Sequence, residues 1–450
     1  MRQWYMAWMP LRPCCALLPV AVALVLPSCS SKVAPAGLPA VDSSCAGPCP
    51  QSNIKHVVVV LQENHTFDDH FGAYCTATPG SNPSCTDGPG CCEAMPATDP
   101  AGHAPVVLDD DTMGGHGPDN GKVCETDAID GGKMDRFVTA SCGNPGNVAA
   151  ASPAIIQPLW DLAAGGALAD RYFQPVVGAS SANDMYLARA AFVFDDNTVS
   201  PKGALGLGCG LEATPMQYTD RTIGDLLSAQ GVPWTLYSEG YQAMSDAVAL
   251  GTCPAVPGDC PAGLALFPCI LDPGDLPFEY FPSSRDNPQT MRDLSAFDDA
   301  LDQGGLPAFA LVRAIGYRSE HPGLRDRLSD GIAFVTGVVD RVMKSRYRDD
   351  TLVIVTYDEG GGYFDHVAPP PASAVDGKPY GTRVPFVALG PFARKNSVSH
   401  VVLEHSSIVK FLEWNFLGGA TGQLGTRDAV VNNLGSVLDP ATTGVPVPEQ

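Results

Sequence analysis

Runs of apolar residues that end abruptly on polar ones recur along the chain and predict buried strands. The first run is Ile54–Gln62, and its Val-rich centre shows no alternation of apolar and polar positions. A strand that is buried on both faces has this pattern, as in a parallel sheet covered by helices on each side. Similar runs predict four further strands, in VPWTLYSE (232–239), PAFALVRAI (307–315), TLVIVTYDE (351–359) and VPFVALG (384–390).

Segments with helical patterns lie between these runs. In the segment 329–345, we expect Ser329 to be the N-cap of the helix. A strand followed by a helix, repeated along the chain, predicts an α/β fold with a mostly parallel central sheet and right-handed crossovers. The predicted helices are in IIQPLWDLAAGGALAD (155–170), ASSANDMYLARAAFVF (179–194), DRTIGDLLSAQG (220–231), SDGIAFVTGVVDRVMKS (329–345) and HSSIVKFLEWNF (405–416).

Two segments interrupt this alternation, and we interpret both as insertions over the sheet. Residues 75–153 are rich in Cys, Gly, Pro and Asp, and residues 250–290 are rich in Cys and Pro. Twelve cysteines lie between residues 45 and 269, and an even number in an exported chain predicts up to six disulfides whose pairing stays open. CTDGPGCC (85–92) could also be read as a metal knuckle, but it lacks a paired CxxC spacing.

The first thirty residues indicate export. Arg2 and Arg12 precede the apolar stretch ALLPVAVALVLPSCSS (16–31), which is short for a membrane-spanning helix. We therefore interpret residues 1–29 as a signal peptide of lipoprotein type, with Cys29 as the lipidated residue that anchors the protein to a membrane. Pro27 departs from the lipobox pattern, so simple cleavage or a retained anchor remain alternatives. A flexible tether (30–53), a catalytic domain (54–420) and a C-terminal tail (421–450) would follow.

The overall charge limits the partners that this protein can bind. The chain has 450 residues, a net charge of −22 and a sequence pI of about 4.6. An acidic surface repels phosphate backbones, which argues against binding nucleic acid. It is compatible with a metal site in which carboxylates hold a cation. The oligomeric state stays open.

Acidic residues follow two of the predicted strands. Glu63 and Asn64 end the first strand, and Asp358 and Glu359 end the strand that begins at Thr351. In open α/β sheets, ligands bind beyond the carboxyl ends of the strands. If these strands are neighbours, three carboxylates and an amide meet there, and a cation would relieve their repulsion. The glycines 360–362 allow close backbone approach, although the acidic residues could instead cap the helices that follow.

A candidate nucleophile stands in VVGASSANDMY (176–186), where Ser180 and Ser181 begin a predicted helix whose N–H groups favour an anion. Serines at this position are also common N-caps. The G-x-S-x-G pattern fails here because Ala182 stands where the last glycine should be, which excludes the α/β-hydrolase elbow. H-E-x-x-H does not occur anywhere in the sequence, which excludes the zincin proteases. His116 and His321 lie in loops where a histidine could stabilise phosphoryl oxygens or donate a proton to a leaving group, or could simply be solvated.

Six motifs together resemble the bacterial phosphoesterase family, which includes phospholipases C and a group of acid phosphatases. They run in family order over residues 54–417. The motifs are VVVVLQENHTFDDHFG (57–72), GGKMDRFV (131–138), VVGASSANDMY (176–186), SEHPG (319–323), TLVIVTYDEGGGYFDHVAPP (351–370) and RVPFVALGPFARKNSVSHVVLEHSSIVKFLEW (383–414).

The resemblance implies an alkaline-phosphatase-like, three-layer α/β/α sandwich and phosphoryl transfer through a phosphoserine, assisted by a divalent metal such as Ca, Zn, Mn or Fe. The activity would be of the phospholipase C type or, alternatively, that of an acid phosphatase; a catalytically inactive surface lipoprotein is a third possibility. Carried over motif by motif, the implied metal ligands are Glu63, Asn64, Ser180, Asp358 and Glu359. The implied catalytic residues are Ser180, Asn64, His321 and His116, and the implied substrate-binding residues are Asn64, Asn183 and His366.

Two residues depart from the family pattern. Asp184 stands where the family has the arginine of N-R-[ML]-[YF], and His65 stands where it usually has an arginine. The first departure concerns the residue that would hold the far side of the substrate.

Overall fold

The computed structural model describes residues 49–192, 218–261 and 268–449. The predicted signal peptide with Cys29, and most of the predicted tether, lie outside these residues. Among the residues described, no helix combines the length and the hydropathy needed to cross a bilayer.

A central sheet of eight strands organises the fold. Its order is β10-β4-β9-β8-β1-β7-β5-β6, and a separate two-stranded sheet pairs β2 with β3. All neighbours in the central sheet are parallel except those of β9, which is antiparallel to both β4 and β8. The strands are β1 His56–Gln62, β2 Val106–Leu108, β3 Ala149–Ala151, β4 Ala167–Ala169, β5 Trp234–Ser238, β6 Met291–Asp293, β7 Phe309–Arg313, β8 Thr351–Tyr357, β9 Phe386–Leu389 and β10 Ser397–Ser399.

Helices cover both faces of the sheet. Along β1, Val57 and Val59 pack in one core with residues of α5, α6, α7 and α10, whereas Val58 and Val60 pack in a second core with α1, α4, α8 and α9. This confirms the three-layer architecture. The helices are α1 Phe67–Phe71, α2 Asp110–Met113, α3 Lys122–Ile129, α4 Pro153–Gly165, α5 Ser180–Arg189, α6 Ile223–Ala229, α7 Tyr241–Leu250, α8 Leu294–Gln303, α9 Leu328–Lys344, α10 His405–Phe416 and α11 Pro440–Thr443.

Three local predictions differ from the structure. Residues 167–169 form strand β4, whereas the sequence pattern placed them in a helix, because Gly166 ends α4 and Ala167 pairs with β9 and β10. The VPFVALG run forms β9, but this strand is antiparallel. Ser329 is inside α9 rather than its N-cap, and its backbone N–H and its hydroxyl group both donate to the carboxylate of Asp110.

Disulfides hold the two predicted insertions. Among the described residues, four pairs are bonded: Cys75–Cys92, Cys85–Cys91, Cys124–Cys142 and Cys260–Cys269. The first insertion starts at the sheet edge, where Asp87 forms a bridge with Ser397 of β10. It then continues through β2, α2 and α3 towards the carboxyl end of the sheet. The segment predicted as a C-terminal tail carries buried side chains, and Leu434 and Val437 pack in the larger core.

Candidate active site

The ends of β1 and β8 lie side by side. Gln62 and Tyr357 are register partners in the parallel pair, so the acidic residues that follow them leave the sheet together. The backbone N–H of Asn64 donates to Asp358 Oδ1 at 2.9 Å. Asn64 has a positive φ of 64°, a backbone conformation that is uncommon for a residue other than glycine. The predicted meeting of these two strand ends is therefore present in the structure.

Ser180 is the first residue of α5 and faces the end of β1. Its hydroxyl group lies 3.5 Å from Asn64 Oδ1. The turn before it is fixed by Asn183, whose side-chain amide donates to the carbonyl groups of Gly178 and Ala179 and accepts from Val176 N–H. The structure thus shows Asn183, a predicted substrate-binding residue, holding the turn that presents Ser180.

Glu359 lies beside the first insertion. Its carboxylate accepts from Asn120 Nδ2 at 2.5 Å and from Gly361 N–H at 2.5 Å. Burial, together with the nearby carboxylate of Glu125, raises the pKa of Glu359 well above its usual range. Glu125 in turn accepts from the N–H of Gly178 at 2.6 Å. The insertion therefore contacts both the carboxylate at the end of β8 and the turn before Ser180.

Arg313 ends β7 and brings a positive charge to the site. Its guanidinium group donates to Glu63 Oε1 and, at 2.5 Å, to Asp184 Oδ2. All three side chains are buried. Asp184, which stands where the family pattern has an arginine, is thus paired with an arginine from another element.

His321 lies at the mouth of the site. Its Nε2 atom is 3.5 Å from Asn64 Nδ2, and its Nδ1 atom is 3.0 Å from the carbonyl oxygen of Pro322. The pKa of His321 is below its usual value because the side chain is buried, and the nearby Glu63 carboxylate offsets part of this effect. His321, Glu63 and Arg313 line a small pocket together with Asp272 and Asp275.

The residues at the end of β1 and β8 fit a bound cation. Glu63 Oε2 and Asp358 Oδ2 are buried and have no hydrogen-bond partner among the described residues. Burial and the neighbouring carboxylates, Glu63 first, raise the pKa of Asp358 well above its usual range. A cation would supply the missing partner for either oxygen. Among the described residues, however, Glu63, Asp358 and Glu359 do not form a group whose ligand atoms all lie within 4.8 Å of one another. Both oxygens of Glu359 already accept hydrogen bonds, so this residue is the least free of the predicted ligands.

The structure does not bring the two other predicted residues to Ser180. His116 Nε2 lies 2.9 Å from Asn147 Oδ1, in a loop that packs against residues 322–323 next to His321. His366 lies between Asp68, at 2.8 Å, and Glu93, at 3.0 Å, in a buried ion-pair network with Arg383.

Several residues of the site were missed in the sequence. Arg313 is the last residue of β7, but the run predicted for this strand continued to Ile315, so the rule about strand ends did not single it out. Asn120 and Glu125 reach the site only through the path of the insertion, and no local pattern marks them.

Comparisons with known proteins show which family and which relatives this chain is similar to. Residues 54–417 match the phosphoesterase family. Phospholipase C B of Mycobacterium tuberculosis is 25% identical over 445 residues, which cover 88% of this chain and 80% of that protein. Non-specific phospholipase C3 of Arabidopsis thaliana is 23% identical and is covered to 77%. Non-hemolytic phospholipase C of Pseudomonas aeruginosa is 23% identical, and the chain spans 54% of its length.

Among solved structures, the chain is similar to a protein in the alkaline phosphatase superfamily from Vibrio parahaemolyticus. The TM-score is 0.37 at 14% sequence identity, and the match covers 87% of this chain and 73% of that chain.

Proposed function

The chain belongs to the phosphoesterase family and is a hydrolase of phosphoric esters, and on that premise we propose that it is an exported, metal-dependent enzyme of the phospholipase C type that acts through Ser180. The observation that carries the proposal is the approach of the Ser180 hydroxyl group to Asn64, 3.5 Å apart, beside the bond from Asn64 N–H to Asp358. A serine hydroxyl group, an amide and a carboxylate from three distant parts of the chain lie close together there.

In this mechanism Ser180 Oγ forms a bond to phosphorus while the bond from phosphorus to the alcohol oxygen breaks. His321 takes the proton from the Ser180 hydroxyl group and passes it to the alcohol oxygen as the alcohol leaves. A water molecule then hydrolyses the phosphoserine and releases the phosphate or the phosphorylated headgroup. The N-terminus of α5 favours the negative charge of the phosphoryl group.

Glu63, Asn64, Asp358 and Ser180 would hold the metal ion, with Glu359 next to them. When bound, the ion lowers the pKa of the serine hydroxyl group and offsets charge on the phosphoryl oxygens. Asn64 orients the phosphoryl group, and Arg313 balances the charge of Glu63. In this proposal His116 contributes to proton donation and His366 to substrate binding.

Activity on two substrates tests the proposal. Purified protein is assayed on phosphatidylcholine and on an aryl phosphate. Diglyceride release without turnover of the monoester supports the phospholipase C type, and the reverse supports a phosphatase. Ser180→Ala should abolish turnover, whereas the adjacent Ser181→Ala should retain it. Turnover that survives in Ser180→Ala and is lost in Ser181→Ala would move the nucleophile to Ser181.

Two further parts of the proposal concern location. Export and lipidation at Cys29 are supported by the pattern of residues 1–29 alone. Mass spectrometry of the mature N-terminus tests them, because a diacylglycerol adduct on Cys29 would support the anchor and an unmodified N-terminus would contradict it.

A further inference from the structure

A buried polar cluster lies directly beneath the candidate site. We call it the Glu320 cluster; it consists of Glu320, Gln62, His65, Asp69, His70 and Tyr357. All six side chains are buried, with exposed fractions of 2% or less. None of them is among the proposed metal ligands or the proposed nucleophile, and the proposed mechanism gives them no task.

The carboxylate of Glu320 is the centre of this cluster. Gln62 Nε2 donates to Oε1 at 2.9 Å, and the Tyr357 hydroxyl group lies 3.1 Å and 3.0 Å from the two oxygens. His70 Nε2 lies 3.0 Å from Oε2, and its Nδ1 atom lies 2.6 Å from Asp69 Oδ1. Donors from the ends of β1 and β8 and from α1 therefore hold one side chain of the loop that follows β7.

The backbone around Glu320 is tied to the other side of the site. Glu63 N–H donates to the carbonyl oxygen of Ser319 at 2.9 Å, and His65 Nε2 lies 3.0 Å from the carbonyl oxygen of Glu320. These two bonds flank Asn64. Asn64 and Glu320 both have positive φ, at 64° and 71°, a conformation that costs of order 1–3 kcal/mol in a residue other than glycine. The cluster therefore fixes two strained residues against each other.

The imidazole and carboxylate groups of this cluster also lie close enough to suggest a metal site, since His65, Asp69 and His70 form one such group. Their atoms are already paired, however. Both oxygens of Asp69 face imidazole nitrogens, and the other nitrogens of both rings face Glu320. Tyr363 stacks on His65 with ring centroids 5.4 Å apart. The nitrogens and oxygens of His65, Asp69 and His70 are therefore all paired, and in the wider cluster Gln62 Oε1 is a buried atom without a hydrogen-bond partner among the described residues.

We propose that Glu320 is a positioning residue, which sets the distance between His321 and Asn64 through the hydrogen bonds of its carboxylate. The proposal deepens the proposed function and rests on it, because His321 follows Glu320 directly and lies 3.5 Å from the Asn64 amide. Loss of one hydrogen bond from the cluster should move His321 without removing any group that touches the substrate.

The mildest test removes a single hydroxyl group. Tyr357→Phe deletes one donor to Glu320, and Tyr241→Phe is the matched control, because Tyr241 donates to the buried Glu279 at 2.7 Å in another part of the fold. We expect kcat on the substrate that the wild-type protein hydrolyses to fall by about 10- to 100-fold in Tyr357→Phe, because small displacements of a catalytic group have effects of this size. KM and metal content should be unchanged. Equal kcat values in the two variants would overturn the proposal.

Two further variants change the Glu320 carboxylate itself. Glu320→Gln keeps an oxygen acceptor and should retain part of kcat, whereas Glu320→Ala should lose most of it. Partial rescue by glutamine separates positioning from a general loss of folding, which circular dichroism measures in parallel. A glutamine variant no better than the alanine variant, with both folded, would contradict the role assigned to the carboxylate.

A readout independent of activity keeps this proposal distinct from the proposed function. The ring resonances of His321, assigned by their loss in His321→Gln, should shift in Tyr357→Phe and stay in place in Tyr241→Phe. Wild-type protein without turnover on either substrate would overturn the proposed function. The positioning role of Glu320 would then be tested by the His321 resonances alone, and resonances that are unchanged in Tyr357→Phe would overturn that role.

Discussion

Arg313 on β7 donates a 2.5 Å hydrogen bond to Asp184 on α5, the residue that replaces the arginine of the family pattern. The carboxylate that this helix carries in place of an arginine is thus paired with a guanidinium group from a neighbouring strand. The same guanidinium group also donates to Glu63. The departure noted in the sequence therefore has a partner in the structure, and the two residues are best understood as a pair.

Replacing Arg313 should be costly. Arg313→Met leaves two buried carboxylates without their partner, and breaking a buried pair in this way costs about 3–5 kcal/mol of unfolding free energy. Denaturant unfolding measures the loss. The control is Arg348→Met, whose partner Asp349 is exposed, and which should lose less than about 1 kcal/mol. Equal losses would show that the Arg313 pair contributes no more than a surface pair.

Gly361 should not tolerate a side chain. It has a φ of 66°, and a Cβ atom there would overlap the carbonyl oxygen of Asn64. Gly361→Ala should therefore displace Asn64 and remove activity. Gly377→Ala is the matched control, since Gly377 has a φ of 68° but no atom within 4 Å of the added carbon. It should lose about 1 kcal/mol from backbone strain and keep its activity. Full activity in Gly361→Ala would contradict the close approach.

Asp358→Asn should lose both bound metal and activity, because it neutralises a buried carboxylate that has one oxygen without a partner. Elemental analysis of purified protein measures the metal. Asp365→Asn is the control, as Asp365 is equally buried but pairs with Arg383. Metal that is lost from Asp365→Asn and kept by Asp358→Asn would move the metal to the cluster of Asp68, Asp365 and His366.

Two buried histidines should give stability opposite dependences on pH. Burial opposes the charge of His70, but Asp69 and Glu320 raise its pKa to about 9. Its stabilising contribution is complete below its unfolded pKa of about 6.5 and is lost as pH rises through about 9. Burial lowers the pKa of His405 to about 4, so its contribution is lost as pH falls from about 6.5 through 4.

Unfolding free energies measured across pH check both signs. The decline above pH of about 6.5 should be reduced in His70→Gln, and the decline below it should be reduced in His405→Gln. If the unfolding free energy of both variants depends on pH as steeply as that of the wild-type protein, groups other than His70 and His405 cause the dependence.

The sequence was sufficient to locate five adjacent strands of the sheet, β9, β8, β1, β7 and β5, and the two acidic strand ends. β1 and β8 are uninterrupted apolar runs, and the polar residues after them were expected at one edge of the sheet. Helix α10 begins and ends where its pattern predicted, at His405 and Phe416. These features depend on local periodicity and on the general geometry of parallel sheets, which a single sequence contains.

Other parts of the site depend on contacts between distant residues. Asn120 reaches Glu359 only because the first insertion folds back over the sheet, and the direction of β9 depends on its pairing with β4, a strand of three residues. The Glu320 cluster combines residues separated by about 250 positions, such as His70 and Glu320. No pattern within one segment encodes such pairs.

The disulfides of the first insertion have a consequence for when the candidate active site is fully supported. Cys124–Cys142 anchors α3, which carries Glu125, and Glu125 binds the turn that presents Ser180. If the protein is exported as proposed, this disulfide would form only outside the reducing cytosol. The turn that presents Ser180 would then gain its full support only after export.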